Sequence, residues 1–292
     1  MNIKYFSYFF CLLLGLAVSF YSIPVQGKSE NCISKSKWYE GDRYDFKFQG
    51  RDAIIVVPQK AATGNPWIWR PAFFDAFPAV DKALLERGFH VVYLDVTNDY
   101  ASPWAIELGN RFYKEMVENY GLSSKVVMEG FSRLYSIVWA SRNPDNVACL
   151  YLDAPLSDVF TCLKRLHKAA WKTLLKEWNL TEETIDRFDG NPIDNLEPLA
   201  KAGVPIISVC GDNDRSVPIE ENMMVIRKRY LALGGNVELI IKPGCDHHPH
   251  SLEDPQPVVD FIMRQQPEYK KYQHYTIRGS LHNSFIKFER ER

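Results

Sequence analysis

Five short apolar runs, HVVYLDV (90–96), KVVMEGF (125–131), NVACLYLDAP (146–155), PIISVCGD (205–212) and NVELIIKPG (236–244), recur along the chain with longer helical stretches between them. Near-continuous apolar runs of this length suit strands covered on both faces, as in parallel sheets. Their alternation with helices predicts an α/β architecture: an open, mostly parallel central sheet with helices on both faces. YDFKFQG and RDAIIVVP, ahead of these runs, read as a hairpin. Ser102-Pro103 reads as a cap followed by a proline at the first helical position, opening a helix that runs to about Tyr120-Gly121. A second helix is expected to open at Pro218-Ile219-Glu220-Glu221 and to close at Leu233-Gly234-Gly235.

The stretch 157–202 breaks this rhythm. It is helical and amphipathic (CLKRLHKAAWKTLLKEWNL) and falls between two core strands. It reads as a short helical lid at the carboxyl end of the sheet, where open α/β sheets bind ligands. Residues 1–27 carry one lysine, an apolar run to about Ile23 and a small residue at Gly27, and they read as a signal peptide. Gly15, Ser19 and Pro24 interrupt that run and argue against an anchor helix, so no stable membrane insertion is expected after cleavage. The expected product is secreted or periplasmic, with one domain over 28–265 and an unassigned polar tail over 266–292. A formal net charge of −1 argues against nucleic acid as a partner. Cleavage would leave Cys32, Cys149, Cys162, Cys210 and Cys245, an odd number. Cys149 and Cys210 lie in apolar runs and read as buried free thiols, and a Cys32–Cys162 disulfide stays open as an alternative.

Ser132 follows the run KVVMEGF and precedes Leu134, Ile137, Val138 and Ala140, apolar positions suited to a buried helix. That context fits a G-x-S-x-G turn, which lifts a serine hydroxyl clear of the sheet. GDNDRSVP follows the run PIISVC, and GCDHHPHS follows NVELIIK. The chain order Ser, Asp, His then makes Ser132 the nucleophile, Asp214 the acid and His247 the base. A free hydroxyl is a weak nucleophile, so all three are needed. Asp153, at the end of CLYLDAP, is a rival acid, and a slip of one residue would make His248 the base. DHHPH places three histidines within four positions, but no ligand set of recognised spacing accompanies them; no metal and no cofactor are expected.

These motifs, with NPWIWRPAFF and LERGFHVVYLDV, resemble the α/β-hydrolase superfamily, and more narrowly the secreted bacterial carbohydrate esterases that include a pectin methylesterase-like group. The similarity extends to about Gln265. It implies the α/β-hydrolase fold and the same Ser132, Asp214 and His247. It also implies an oxyanion hole built from the Arg133 N–H and the loop GNPWIWR, with Trp67 and Trp69 as candidate donors. Similar esterases carry Ser-Arg-Gly-Gly before the leucine. Here SRLYS reads as though both glycines had been deleted, and Leu134 threatens the close packing that a second glycine permits.

Arg133 has three candidate roles: binding the oxyanion through its side chain, as in glucuronoyl esterases with a similar G-x-S-R motif, pairing with Glu129, or gripping a substrate carboxylate. Arg70 flanks the expected oxyanion loop and would favour an acidic substrate such as a uronate ester. Trp67, Trp69 and Trp104 could stack on sugar rings or serve in the core. The expected function is a serine esterase acting on a carboxylic ester of a polysaccharide or oligosaccharide, such as a pectin methyl or acetyl ester. The alternatives are a serine peptidase of the prolyl-oligopeptidase type and a non-catalytic binding protein on the same fold.

Overall fold

A computed structural model describes residues 32–266; the leader expected over 1–27 and the tail after 266 lie outside the described residues. Nine strands form one mixed sheet: β1 Cys32–Trp38, β2 Gly41–Phe48, β3 Arg51–Val57, β4 Trp67–Arg70, β5 His90–Leu94, β6 Val126–Phe131, β7 Val147–Asp153, β8 Ile206–Gly211 and β9 Val237–Lys242. Their order is β1-β2-β3-β5-β4-β6-β7-β8-β9. The first three strands and the β3–β5 pair are antiparallel, and every pair from β5 and β4 to β9 is parallel. The hairpin expected from YDFKFQG and RDAIIVVP is β2–β3.

Helices α1 Ala79–Glu86, α2 Pro103–Glu118, α3 Tyr135–Arg142, α4 Lys168–Glu177, α5 Glu197–Lys201, α6 Met223–Ala232 and α7 Gln256–Arg264 cover the sheet. Successive strand residues point to opposite faces, and each face has its own core. On one side Trp67, Trp69, Met128, Leu150 and Ile206 pack with residues of α2, α3 and α6 such as Phe112, Trp139 and Ile226. On the other, Ile68, Val91, Val127, Tyr151 and Ile207 pack with Leu84 of α1 and Phe261 and Ile262 of α7. The inner parallel strands β4 to β8 are almost entirely buried because both faces are covered, whereas the edge strand β9 is only partly buried.

Ser102 caps α2 as expected, its side chain accepting from the Ala105 N–H. The expectation at Pro218 needs correction: Ile219–Glu221 forms one tight turn, and α6 begins only after Asn222. Asn222 turns its side chain elsewhere. Its Oδ1 accepts from the Ser157 and Asp158 N–H groups at 2.8 and 3.0 Å, while Asn191 Oδ1 accepts from the Val159 N–H at 3.1 Å. These two asparagines anchor the start of the insertion between β7 and β8. The insertion contains a wide helical turn at Phe160–Lys164, then α4 and α5.

Candidate active site

Ser132 sits one residue past β6, with φ at +53°. A non-glycine residue in that region stores about 1–3 kcal/mol of strain unless its surroundings over-determine it. They do so here: the Ser132 N–H donates to the Asp153 carbonyl at the end of β7 (3.0 Å), and α3 starts three residues on with Leu134, Tyr135, Ile137 and Val138 all buried. Leu134 lies at φ −93° and ψ −16°, ordinary helical backbone, so its position asks for no glycine. The close approach is made at Gly130 instead, where an added Cβ would stand 3.1 Å from Leu152 Cδ2 and from the Cβ and Oγ of Ser136. A glycine in the strand and a small residue in the helix thus supply the packing that SRLYS seemed to forfeit.

The Asp214 and His247 loops leave β8 and β9 and meet behind Ser132. Asp214 is buried; its Oδ1 accepts from the Ser216 and Val217 N–H groups at 2.9 and 2.8 Å, and its Oδ2 takes the His247 Nδ1–H at 2.7 Å. A carboxylate held in this way fixes the imidazole tautomer and leaves Nε2 as the acceptor. His247 Nε2 contacts Ser132 Oγ. Asp246 ties the two loops together, accepting from the backbone N–H groups of Arg215 (3.0 Å) and His247 (2.8 Å) and from Arg215 Nε (2.8 Å). Ser132, His247 and Asp214, which the motif order pairs, are thus brought into contact in that order. Asp153 does not compete for His247: it takes the His250 Nδ1–H at 2.6 Å and the Ser251 N–H at 2.7 Å. His248 is exposed and does not replace His247 against Ser132.

The serine opens into a pocket of about 490 Å³. Phe73, Ala76 and Phe77 form one wall, Cys162, Leu163, His167 and Ala170 of the insertion another, and Arg133, His248 and His250 flank the serine. His167 Nε2–H and Cys162 Sγ both donate to the Ser216 carbonyl, at 2.8 and 3.2 Å, docking the insertion onto the Asp214 loop. Cys162 is a free thiol in this position. Burial pushes the Cys162 thiol up to about 12, keeping it protonated and inert.

The expected oxyanion loop is misplaced by one element. Trp67 and Trp69 belong to β4 itself, are fully buried and stack on each other at 6.0 Å; the Trp67 indole N–H donates to the Ser123 carbonyl. Neither reaches the pocket. The loop that borders it is 71–78, in which Phe73, Asp75 and Phe77 all have positive φ. Among the described residues, the N–H groups of Phe73 and Arg133 donate to no protein acceptor. Arg70 is also misplaced as a substrate contact. It is buried and does not line the pocket, is ion-paired with Asp81 and 3.6 Å from Glu129, and donates to the Ala72 carbonyl (3.4 Å) and the Ala76 carbonyl. Arg70 holds the loop's shape. Burial raises the Glu129 carboxyl well above the usual range, outweighing the nearby Arg70 charge.

Glu129 is thus Arg70's neighbour, and of the three candidate roles for Arg133 the pair with Glu129 does not form. The Arg133 guanidinium lies 5.0 Å over the Phe73 ring, and its Nε is buried with no hydrogen-bond partner. Desolvation lowers its pKa from the usual guanidinium value. Among the described residues no carboxylate lines the pocket, whereas Arg133 and four histidines do. Phe73, Phe77, His167 and His250 are pocket residues that sequence reasoning missed. PAFFDAF, directly after the apolar WIWR, was the available signal for the first two.

No family model and no curated protein matches this sequence. Solved structures do match it. An S-formylglutathione hydrolase from Agrobacterium tumefaciens superposes with TM-score 0.51 at 14% identity, covering 84% of this chain and 99% of that one. A lipase/esterase from Lactobacillus plantarum gives 0.56 at 14% identity, over 77% and 98%. The Pyrococcus horikoshii acylaminoacyl peptidase gives 0.56 at 12% identity over 80% of this chain; the match spans only 41% of that longer protein. With the strand order above, these likenesses define the α/β-hydrolase fold.

Proposed function

We propose that the chain is a secreted serine hydrolase that cleaves carboxylic esters on a polysaccharide or oligosaccharide, with pectin methyl or acetyl esters as its substrate class. The relay from Asp214 through His247 to Ser132, on a turn whose strain is confined to the serine, carries this reading. Ser132 Oγ attacks the ester carbonyl while His247 Nε2 takes its proton, and Asp214 stabilises the imidazolium that results. The Arg133 and Phe73 N–H groups hold the developing oxyanion. Collapse of the tetrahedral intermediate passes the proton from His247 to the leaving alcohol and leaves an acyl-serine. Water, deprotonated by His247, then releases the acid.

The unpaired Arg133 and the absence of carboxylates from the described pocket lining favour an ester whose neighbourhood is negatively charged, as on a polyuronate. Export rests on the leader in the sequence.

The test is fluorophosphonate labelling beside p-nitrophenyl acetate hydrolysis, with Ser132→Ala and His247→Ala as controls. Ser132-dependent labelling and turnover are expected, followed by methanol or acetate release from esterified pectins. Absence of labelling in the folded protein would overturn the hydrolase reading in favour of a binding protein. Cleavage of acylaminoacyl p-nitroanilides in preference to esters would move it to the peptidases.

A further inference from the structure

The imidazole arrangement that serves His247 occurs twice in this pocket. His247 and His250 each direct Nδ1–H at a buried carboxylate, Asp214 at 2.7 Å and Asp153 at 2.6 Å. The carboxylate fixes the tautomer and leaves the lone pair on Nε2 in both rings. His248 completes a cluster: the three ring centroids are 4.7 to 5.0 Å apart, and one donor nitrogen from each lies within 4.8 Å of the other two.

Histidines that bind metal nearly always give their second ring N–H to a carboxylate, a carbonyl or water, because this orients the ring and raises the basicity of the ligating nitrogen. Three histidines with one open position are also a known ligand set for zinc. We propose that His247, His248 and His250 bind one divalent ion of the zinc class, and that its presence and hydrolysis exclude each other. The ion would take the His247 Nε2 lone pair that must accept the Ser132 proton. It would act as an inhibitor, with no part in the reaction.

Charge and reach both support this. Asp214 and Asp153 place two negative charges behind the ligand rings, against Arg133, the one arginine or lysine lining the same pocket among the described residues. Zinc–nitrogen bonds of about 2.0–2.1 Å put ligand atoms about 3.3 Å apart, so the set must contract by up to about 1.5 Å. His248 is exposed, and rotation of its side chain can bring its own nitrogen closer to the other two.

The experiment is calorimetric titration of chelator-stripped protein with zinc chloride, and cobalt(II) chloride titration followed by visible absorption. One ion per chain is expected, with Ser132→Ala binding at least as tightly because every ligand is kept. His248→Ala and His250→Ala should each weaken binding at least tenfold. Asp153→Asn should weaken it about tenfold or more by removing the charge behind the His250 ring. Circular dichroism establishes that each variant is folded. Lack of saturable binding by the wild type, or undiminished binding in both folded histidine variants, would overturn the proposal.

Only the inhibitory consequence rests on the hydrolase reading. Zinc should block Ser132-dependent labelling reversibly, with an inhibition constant raised at least tenfold in His248→Ala. If metal-free protein neither labels nor turns over ester, the hydrolase reading falls and the titrations still decide the metal site.

Discussion

Gly211, at the end of β8, is the point where the chain leading to Asp214 meets the loop that carries His247. A Cβ added there would stand 2.3 Å from the Cys245 carbonyl oxygen, 2.8 Å from the Asp246 oxygen and 2.9 Å from the Cys245 carbonyl carbon. All three are backbone atoms within two residues of His247, so no rotamer change relieves the clash. Ordinary contact begins at 3.4 Å, and Gly211→Ala must therefore push this loop outward by about 1 Å. The Gly244 N–H bond to Asp212 (2.6 Å) and the Asp246 bonds to Arg215 restrain the loop, so the shift is expected to carry through to the imidazole. A misplacement of about 1 Å costs on the order of 100-fold in rate, and overpacking costs about 1–3 kcal/mol of stability. Gly211→Ala should then lose about two orders of magnitude in kcat on p-nitrophenyl acetate and in fluorophosphonate labelling, while its circular dichroism stays native and its Tm falls by a few degrees. Activity within threefold of wild type would refute the idea that this crossing sets the His247 position.

Three other perturbations test separate parts of the site. Asp214→Asn keeps an acceptor for the Ser216 and Val217 N–H groups but loses the charge behind His247; kcat should fall by about 10⁴ with little change in Tm. Arg133→Gln should raise KM at least tenfold for esters bearing a nearby carboxylate and leave neutral esters unchanged, whereas an equal loss of kcat on both would make the side chain an oxyanion group. Glu129→Gln tests the buried carboxyl behind the turn, whose folded pKa is raised by burial. Stability from such a group is complete below its unfolded value near 4.5 and is lost as pH rises towards the folded one, so the variant's Tm gain should grow from pH 4.5 to 7.5. A gain that shrinks over that range would reverse the assignment.

The alternation of apolar runs with helices made the sheet legible, because strands buried on both faces leave an unbroken apolar signature. The Ser132, Asp214 and His247 turns were legible for a related reason: each follows such a run directly. What failed was register within a run. WIWR carries no polar alternation to mark where strand gives way to loop, so Trp67, Trp69 and Arg70 were placed in the pocket rather than in and behind β4. Long-range pairing was equally hidden. Asp153 and His250 are 97 residues apart, and neither residue type nor local spacing signals that they meet.

The shortened turn after Ser132 shows what the missing glycines had to supply. Two demands meet there: one residue must take a left-handed backbone, and the helix must come close to the strand. Ser132 itself satisfies the first at φ +53°, held by the Asp153 carbonyl, and Leu134 follows in ordinary helical geometry. Gly130 and Ser136 satisfy the second, with the Ser136 hydroxyl donating to the Glu129 carbonyl at 2.5 Å. Leu134 is then free to carry a large apolar side chain into the core beside Tyr135 and Val138. Removing that side chain would open a cavity directly behind the nucleophile. Leu134→Gly should therefore lower stability by about 2–5 kcal/mol through lost packing. Restoring the expected glycine would weaken this turn, and a Leu134→Gly protein as stable and as reactive towards fluorophosphonate as the wild type would show that the leucine bears none of the turn's support.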